Sequence, residues 1–340
     1  MYKWLDKEAC VTTNDGTLVA IKDIAETTIV NGVQENYELI EAEAHRKEET
    51  QQTKGVRVMF KSGRSVTIPN TARLLGVLEK HWARKLEVGM PIAMVEEVWE
   101  LEEEDVDLTV EQVINGVEEL LETGYISEEF RSVSARRLIL GELIRSRGWL
   151  YGNRWAKSQH HIEYAMTTPR PYVARQIQQL FLQFGMHAIV RLRIVNKHVR
   201  YIVSVHGTRE MQVLFDQFDQ QLRNKKNYET VRSLVSIMRP IEVYPIEFSQ
   251  KIEEIRKKRD VKSANMVIKE TGNVRYRPKT THRREHLLHF AKVLDMEELT
   301  DIANAPIRYD RIVSIEKVKF EGMEVEMKAG HIVMNGVIVC

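Results

Sequence analysis

Cysteine is scarce in this 340-residue chain, occurring only as Cys10 and Cys340. Two thiols near opposite ends of the sequence make a poor disulfide framework and a poor metal site. No apolar run approaches the roughly 18 residues that a membrane-spanning helix needs. The opening MYKWLDKEAC has no apolar centre of the kind that marks a signal peptide. These absences point to a soluble, cytoplasmic protein with no membrane partner. An overall charge of one sign is missing as well, with 50 Lys and Arg against 49 Asp and Glu. The charge is nevertheless segregated: residues 96–111 carry nine acidic and no basic side chains, and residues 251–286 carry twelve basic against five acidic. Such blocks are solvated faces in the ordinary case, and they also allow a local polyanion site within a neutral molecule.

What is present changes character along the chain. A 43% hydrophobic content over this length leaves room for two or three domains. From Cys10 to about residue 95 the pattern predicts short strands and turns, with a turn at Asn14-Asp15-Gly16 and a hairpin around Lys61-Ser62-Gly63. The acidic stretch acts as a boundary, and beyond it the period becomes helical. Val110, Val113, Ile114, Val117, Leu120 and Leu121 share one helix face that stops at Gly124, and a second helix over roughly 134–147 takes Ser134 as its cap. Strand-like stretches near 149–166, a helix opening at Pro171, two further strands and a helix from Thr208 make a mixed unit. Residues 225–300 read as helical and basic, and β pattern returns after Pro306. A β tail of this size is too small to fold alone, so it is expected to pair with the first β block. That pairing would make the middle an insertion and bring Cys10 close to Cys340.

Taken together, these blocks resemble an intein with an inserted LAGLIDADG homing endonuclease. The stretch CVTTNDGTLVAIKDI (10–24) is similar to the family's N-terminal block, and KLEVGMPIAM (85–94) to the strand closing the N-terminal splicing segment. YDRIVSIEKVKFEGMEVEM and GHIVMNGVIV resemble the two C-terminal blocks, and YISEEFRSVSARRLILGELIRSRGWLYG (125–152) resembles the LAGLIDADG helix with its lead-in. The implied fold is multi-domain: an all-β, horseshoe-like Hint splicing domain built from both chain ends, an inserted α/β LAGLIDADG-like domain and a basic, mostly helical segment. The implied parts are residues 1–9 as flanking host-protein residues, 10–98 and 304–340 as the splicing domain, 99–124 as an acidic linker and helix, 125–224 as the endonuclease-like domain and 225–303 as its basic helical extension.

The resemblance implies a function, and the residues present qualify it. Splicing needs a thiol to take the upstream acyl group, a donor to polarise that peptide bond, a cyclising Asn and a second nucleophile. Cys10 matches the first, Thr67 belongs to the donor motif, His331 matches the histidine that assists cyclisation, and Cys340 stands where the downstream nucleophile is expected. The motif's own histidine is absent, since Asn70 or Thr71 occupies its place, and Val339 stands directly before Cys340 where the family has a His-Asn pair. The first step is therefore expected to be crippled and complete splicing to fail. Splicing takes no cofactor, whereas any endonuclease activity would use magnesium. Aligned on Gly148, the acidic metal-binding position of the LAGLIDADG helix is Arg147, with Glu142 one face earlier, so metal-dependent cleavage is expected to be lost or weak. Double-stranded DNA remains the expected partner. Arg154, Lys157, Arg191, Arg193, Lys197 and Arg200 would line a saddle, and Arg275, Arg277, Arg283 and Arg284 would add phosphate contacts. The alternative is a stand-alone DNA-binding protein derived from that scaffold, and a lesser one is an endonuclease using Glu142 or Glu122.

Overall fold

Along residues 55–60 every second side chain is apolar, a pattern that buries one face of a strand and wets the other. In the computed structural model of this protein Val56, Val58 and Phe60 are accordingly buried while Arg57 and Met59 face solvent. The structure describes residues 2–7, 9–13, 18–96, 106–130, 132–155, 159–195, 197–238, 243–262, 266 and 281–340. The first block supplies β1 (Tyr2–Asp6), β2 (Cys10–Thr12), β3 (Leu18–Ala20), β4 (Thr27–Val33), β5 (Leu39–Phe60), β6 (Ser65–Pro69), β7 (Arg73–Leu75), β8 (Lys80–Trp82) and β9 (Pro91–Val95). The middle supplies α1 (Val110–Thr123), α2 (Val133–Ser146), β10 (Trp149–Trp155), β11 (Gln159–Thr168), α3 (Pro171–Gln183), β12 (Ile189–Val195), β13 (His198–His206), α4 (Thr208–Leu222) and α5 (Tyr228–Ile237). Then come β14 (Val243–Tyr244), α6 (Ile246–Lys258), β15 (His282–Arg283), α7 (Arg284–Leu294) and α8 (Glu297–Asn304), and finally β16 (Ile307–Met327), β17 (His331–Met334) and β18 (Val337–Val339).

The C-terminal strands do pair with the N-terminal block. One 12-stranded sheet runs β3-β2-β17-β4-β5-β16-β9-β18-β7-β8, with β1 on β16 and β6 on β5. The strands are not all short: β5 spans 22 residues and β16 spans 21, paired antiparallel along most of their length from Ile312↔Phe60 to Met327↔Ala44. Everything between leaves and rejoins this sheet at adjacent positions, because Val95 at the end of β9 faces Ile307 at the start of β16. Residues 2–6, expected to flank the domain, are part of the sheet: Tyr2–Asp6 pair with β16 and Leu5 is buried in the core shared with Val66, Ile68 and Val325.

The inserted unit follows the order helix, strand pair, helix, strand pair, helix. Its four-stranded antiparallel sheet runs β10-β11-β13-β12, and α3, α4 and α5 pack against the strands that carry Ile162, Tyr164, Val203 and Val205, with α2 packed on α1, α3 and α4. α1 begins with a reciprocal cap, in which Thr109 accepts from the Gln112 amide at 3.3 Å and donates its own amide to Gln112 at 2.9 Å. α2 is capped by Ser132, whose hydroxyl accepts from the Ala135 amide at 3.2 Å, rather than by Ser134, because Val133 already has helical geometry.

Residues 225–303 were expected to form one extension, and in space they divide. Tyr228, Val231, Leu234 and Val235 form the apolar stripe of α5 and bury it in the inserted unit. α6, α7 and α8 instead pack Phe248, Ile252, Leu287, Phe290, Leu299 and Ile302 against Val33, Leu75, Ala93, Val333 and Ile338 of the large sheet. The reason is the position of the apolar stripes, since each helix joins the core that its own stripe fits. The two units also meet directly. The Ser62 carbonyl accepts from the Val190 amide at 2.8 Å and from Gln178 at 3.0 Å. Gly63 permits this approach, because a Cβ there would lie 2.2 Å from the Val190 carbonyl oxygen. Among the described residues no helix is long and apolar enough to cross a membrane.

Candidate functional site

Cys10 opens β2, a three-residue strand held between β3 and β17. Its partner on β3 is Ala20, and on the other side its carbonyl accepts from the Asn335 amide at 3.0 Å. The peptide bond before Cys10 is held too: the Ala9 carbonyl accepts from the Ile21 amide at 2.9 Å, and Ala9 is buried. A backbone donor on this carbonyl is what an attack by the Cys10 thiol would call for, since it withdraws charge from the reacting carbon. Nothing in the sequence pattern marks Ile21 as this donor, because any residue's amide could serve.

Asn335 and Gly336 form the turn between β17 and β18, both with positive φ, 51° and 80°. This is the turn expected of an Asn-Gly pair. It is also a junction. Asn335 donates its side-chain amide to the Ser65 carbonyl at 2.9 Å, and its own carbonyl accepts from Arg64 at 2.8 Å. Arg64 is buried, and burial lowers its pKa to about 10 despite the nearby Asp310 carboxylate. No motif in the sequence marks Arg64 for this role, since a single charged residue after a hairpin turn carries no signal.

The half-buried Cys10 borders a cavity of about 540 Å³ between the large sheet and the inserted unit. Arg136, Arg175, Gln179 and Tyr125 from the insertion face Asp23 and Asn335 across it. Gln179 also reaches Thr12 at 3.4 Å, so the inserted unit forms a wall of the site rather than standing apart. Thr67 lies on β6 opposite Arg57, and among the described residues β6 pairs with β5 alone. Its link to the Cys10 region runs through Ser65, two residues away, and the Asn335 turn.

His331 begins β17 and is 3% exposed. Its Nε2 lies 3.2 Å from a Glu35 oxygen, and the same carboxylate accepts from Lys80 at 2.6 Å. The Lys80 hydrogen bond holds the Glu35 carboxyl below the ordinary range, with burial opposing it and His331 adding to it. The β17–β18 ladder pairs Ile332 with Val339, so one step further Cys340 stands across from His331. Cys340 exchanges backbone hydrogen bonds with Arg73 and packs beside Tyr37, whose hydroxyl donates to Glu298 at 3.2 Å. The expected meeting of the two cysteines is thus corrected. Both lie at one hairpin, but Cys10 stands beside its turn on β2 and Cys340 at its open end on the far side of β17, four strand positions along and two strands over.

Of the expected DNA-facing residues, Arg191, Arg193 and Arg200 share the open face of the four-stranded sheet, opposite Val190, Tyr201 and Val203. Arg193 stands directly across from Arg200, whereas Arg191 is tied to Glu163 and donates to Ser204 at 2.9 Å. Lys197 is exposed at the β12–β13 turn. Arg283 and Arg284 belong to the other helical unit, on β15 and α7. Lys157, Arg275 and Arg277 lie outside the described residues, as does the turn at 14–16, and Arg154 is described in its backbone alone, opposite His160 on β11.

The end of α2 does not fit a magnesium ion. Arg147 caps the helix with its amide, which donates to the Leu143 carbonyl at 2.9 Å, while its own carbonyl accepts from Lys225 at 2.6 Å and from Tyr164 at 3.1 Å, and its side chain is cationic. Glu142 is committed to Arg145 through two hydrogen bonds of 2.6 and 2.8 Å. Gly148 follows with φ 70°, and Glu122 lies in the last turn of α1 with its carbonyl accepting from Tyr172 at 3.3 Å.

These elements define an antiparallel sheet knit from both chain ends around a strand-borne thiol, with an α/β insertion packed against it. No family model matches the sequence, and no curated protein matches it. Among solved structures the chain is similar to two crystal structures of the Ssp DnaB mini-intein. One, a mutant of a mini-intein variant, is 15% identical and the match covers 31% of this chain and 66% of that one, with a TM-score of 0.25. The other, the variant itself, is 17% identical with coverages of 27% and 64% and a TM-score of 0.24. The match therefore spans just under two thirds of those chains.

Proposed function

We propose that this chain is an intein-type protein-splicing element carrying a LAGLIDADG-type insertion that binds double-stranded DNA. One observation carries the reading: the strand that begins with Cys10 is paired with the C-terminal hairpin, and the 9–10 peptide carbonyl already has a backbone donor in Ile21. In the reaction this favours, the Cys10 sulfur attacks the Ala9 carbonyl carbon. The carbon–nitrogen bond to Cys10 breaks, a thioester forms, and the thiol proton passes to the freed amine. With no imidazole in the Thr67 motif, this step rests on the Ile21 donor and is slow. Val339 is followed directly by Cys340 with no Asn between them, so Asn cyclisation lacks its usual residue and the products expected are those of N-terminal cleavage. No step is assigned to magnesium at α2.

The full chain, incubated with a small thiol, should lose a mass equal to residues 1–9, and Cys10→Ala should abolish that loss. An unchanged mass with thiol and with hydroxylamine would sink the splicing reading. A second reading, a DNA-binding protein that retains the scaffold without its chemistry, is favoured by β1, because a segment whose Leu5 is 1% exposed in the core is not built to leave. Both readings take duplex DNA on the open sheet face, where Arg193 opposite Arg200 is a like-charge pair that costs stability until an anion bridges it.

A further inference from the structure

A second polar cavity, of about 400 Å³, lies where all three units meet. The inserted unit contributes His187, His206 and the start of α4, the helical unit contributes Tyr244 and Arg284, and the large sheet contributes Glu96, Arg308 and Tyr309. Nothing in the proposed chemistry uses it, yet its walls hold polar groups with unmet demand. His187 is 6% exposed and its Nε2 has no partner among the described residues. The hydroxyl of Tyr309 and Nδ1 of His206 are buried and unpartnered in the same way. Leaving such groups dry and unpaired is costly, so they argue for an occupant.

The sign of that occupant follows from the charges. Glu96 is paired with Arg209, and Glu210 with Arg308 at 2.8 Å. That leaves Arg284, whose partner is the neutral Asn304 side chain at 3.3 Å. The charges of Arg308, in the lining, and of Arg64, outside it, both act on His187. The first turn of α4 lines the cavity as well, placing the positive end of a 15-residue helix there with the Glu210 carboxylate beside Gly207.

We infer that this cavity binds a small organic phosphate monoester, the phosphate held by Arg284 and His187 and the organic part lying against Tyr244 and Tyr309. The volume exceeds what a bare phosphate fills, falls in the range of small-molecule sites, and has an aromatic wall formed by two tyrosines with ring centres 6.5 Å apart. Because three units line it, a ligand here ties the insertion to the sheet that carries Cys10.

The test is calorimetric titration of the full chain with phenyl phosphate and with inorganic phosphate at constant ionic strength. Saturable one-to-one binding is expected, tighter for phenyl phosphate, together with a raised melting temperature. His187→Gln and Arg284→Gln should each weaken it about tenfold or more, the effect of losing one charge-assisted or buried hydrogen bond. Arg284 is exposed, so its variant is expected to fold even if the His187 variant does not. Absence of saturable binding, wild-type affinity in a folded Arg284→Gln protein, or displacement of phenyl phosphate by a duplex oligonucleotide would each overturn the assignment.

Discussion

The amide of Asn335 donates to the carbonyl of Cys10 at 3.0 Å, joining two residues 325 positions apart in sequence. The turn that makes this contact is fixed on its other side by Arg64 and Ser65, so the position of the thiol depends on a hairpin contributed by the opposite chain end.

Substitution at this turn should therefore be costly. Gly336→Ala places a methyl 2.5 Å from Arg64 Nη1 at a φ of +80°, and a loss of about 1–3 kcal/mol is expected from the strain alone. Asn335→Ala loses the bond to Ser65 and should cost about 1 kcal/mol. Urea denaturation of both variants measures this, and thiol-induced cleavage should fall in parallel if the turn positions Cys10.

Gln178 is buried and donates to both Ser62 and Ala188, at 3.0 and 2.9 Å. Gln178→Met keeps the volume and removes both donors, leaving the Ala188 carbonyl without this partner. The expected cost is about 1–3 kcal/mol. Faster exchange of the Val190 amide, which shares the Ser62 carbonyl, would show that the junction between the units has loosened; unchanged exchange would mean that Gln178 does not hold it.

On the open sheet face, Arg193→Ala and Arg200→Ala should each weaken duplex binding and lower the slope of log affinity against log salt by about 1. Arg191→Ala should do less, because its guanidinium is occupied by Glu163 and Ser204. Anisotropy titrations across a salt series decide this. A slope unaffected by all three changes would remove the face as the DNA site.

His282 gives a pH dependence with a definite sign. Burial, and then the neighbouring His286, push its pKa down to about 4. The unfolded chain takes up this proton near pH 6.5, so between about 6.5 and 4 the unfolded state binds more protons and stability falls as pH falls. His282→Phe keeps the ring that meets Phe290 edge-on, with centres 4.9 Å apart, and should flatten this part of the acid limb. Melting temperatures from pH 7 to 4 for both proteins test it; parallel curves would exclude His282 as the cause.

Much of this was legible in the sequence, because local physics decided it. The periods of 3.6 and 2 located the helices and strands, Gly124 ended the helix expected to end there, and Asn335-Gly336 made the turn its dipeptide prefers. Pairing of the two chain ends was also readable, since a short apolar β tail has to bury itself somewhere. Local rules were less sharp where equivalents lie close together: Ser132 rather than Ser134 caps α2, a choice set by which residue stays extended.

The remainder was decided by tertiary structure, because it depends on which surfaces meet. The separation of Cys10 from Cys340 follows from strand register, which a one-residue slip would change entirely. The division of residues 225–303 follows from two competing cores, each taking the helices whose stripes it fits. Ile21 as carbonyl donor, Arg64 beneath the turn and Glu35 beside His331 leave no trace in sequence, since backbone amides and single charged residues carry no motif. By itself the sequence determined which segments are strands and helices and which residue types could act. Only the packed sheet decided which of them touch, because contacts between residues hundreds of positions apart are set by register and burial rather than by local preference.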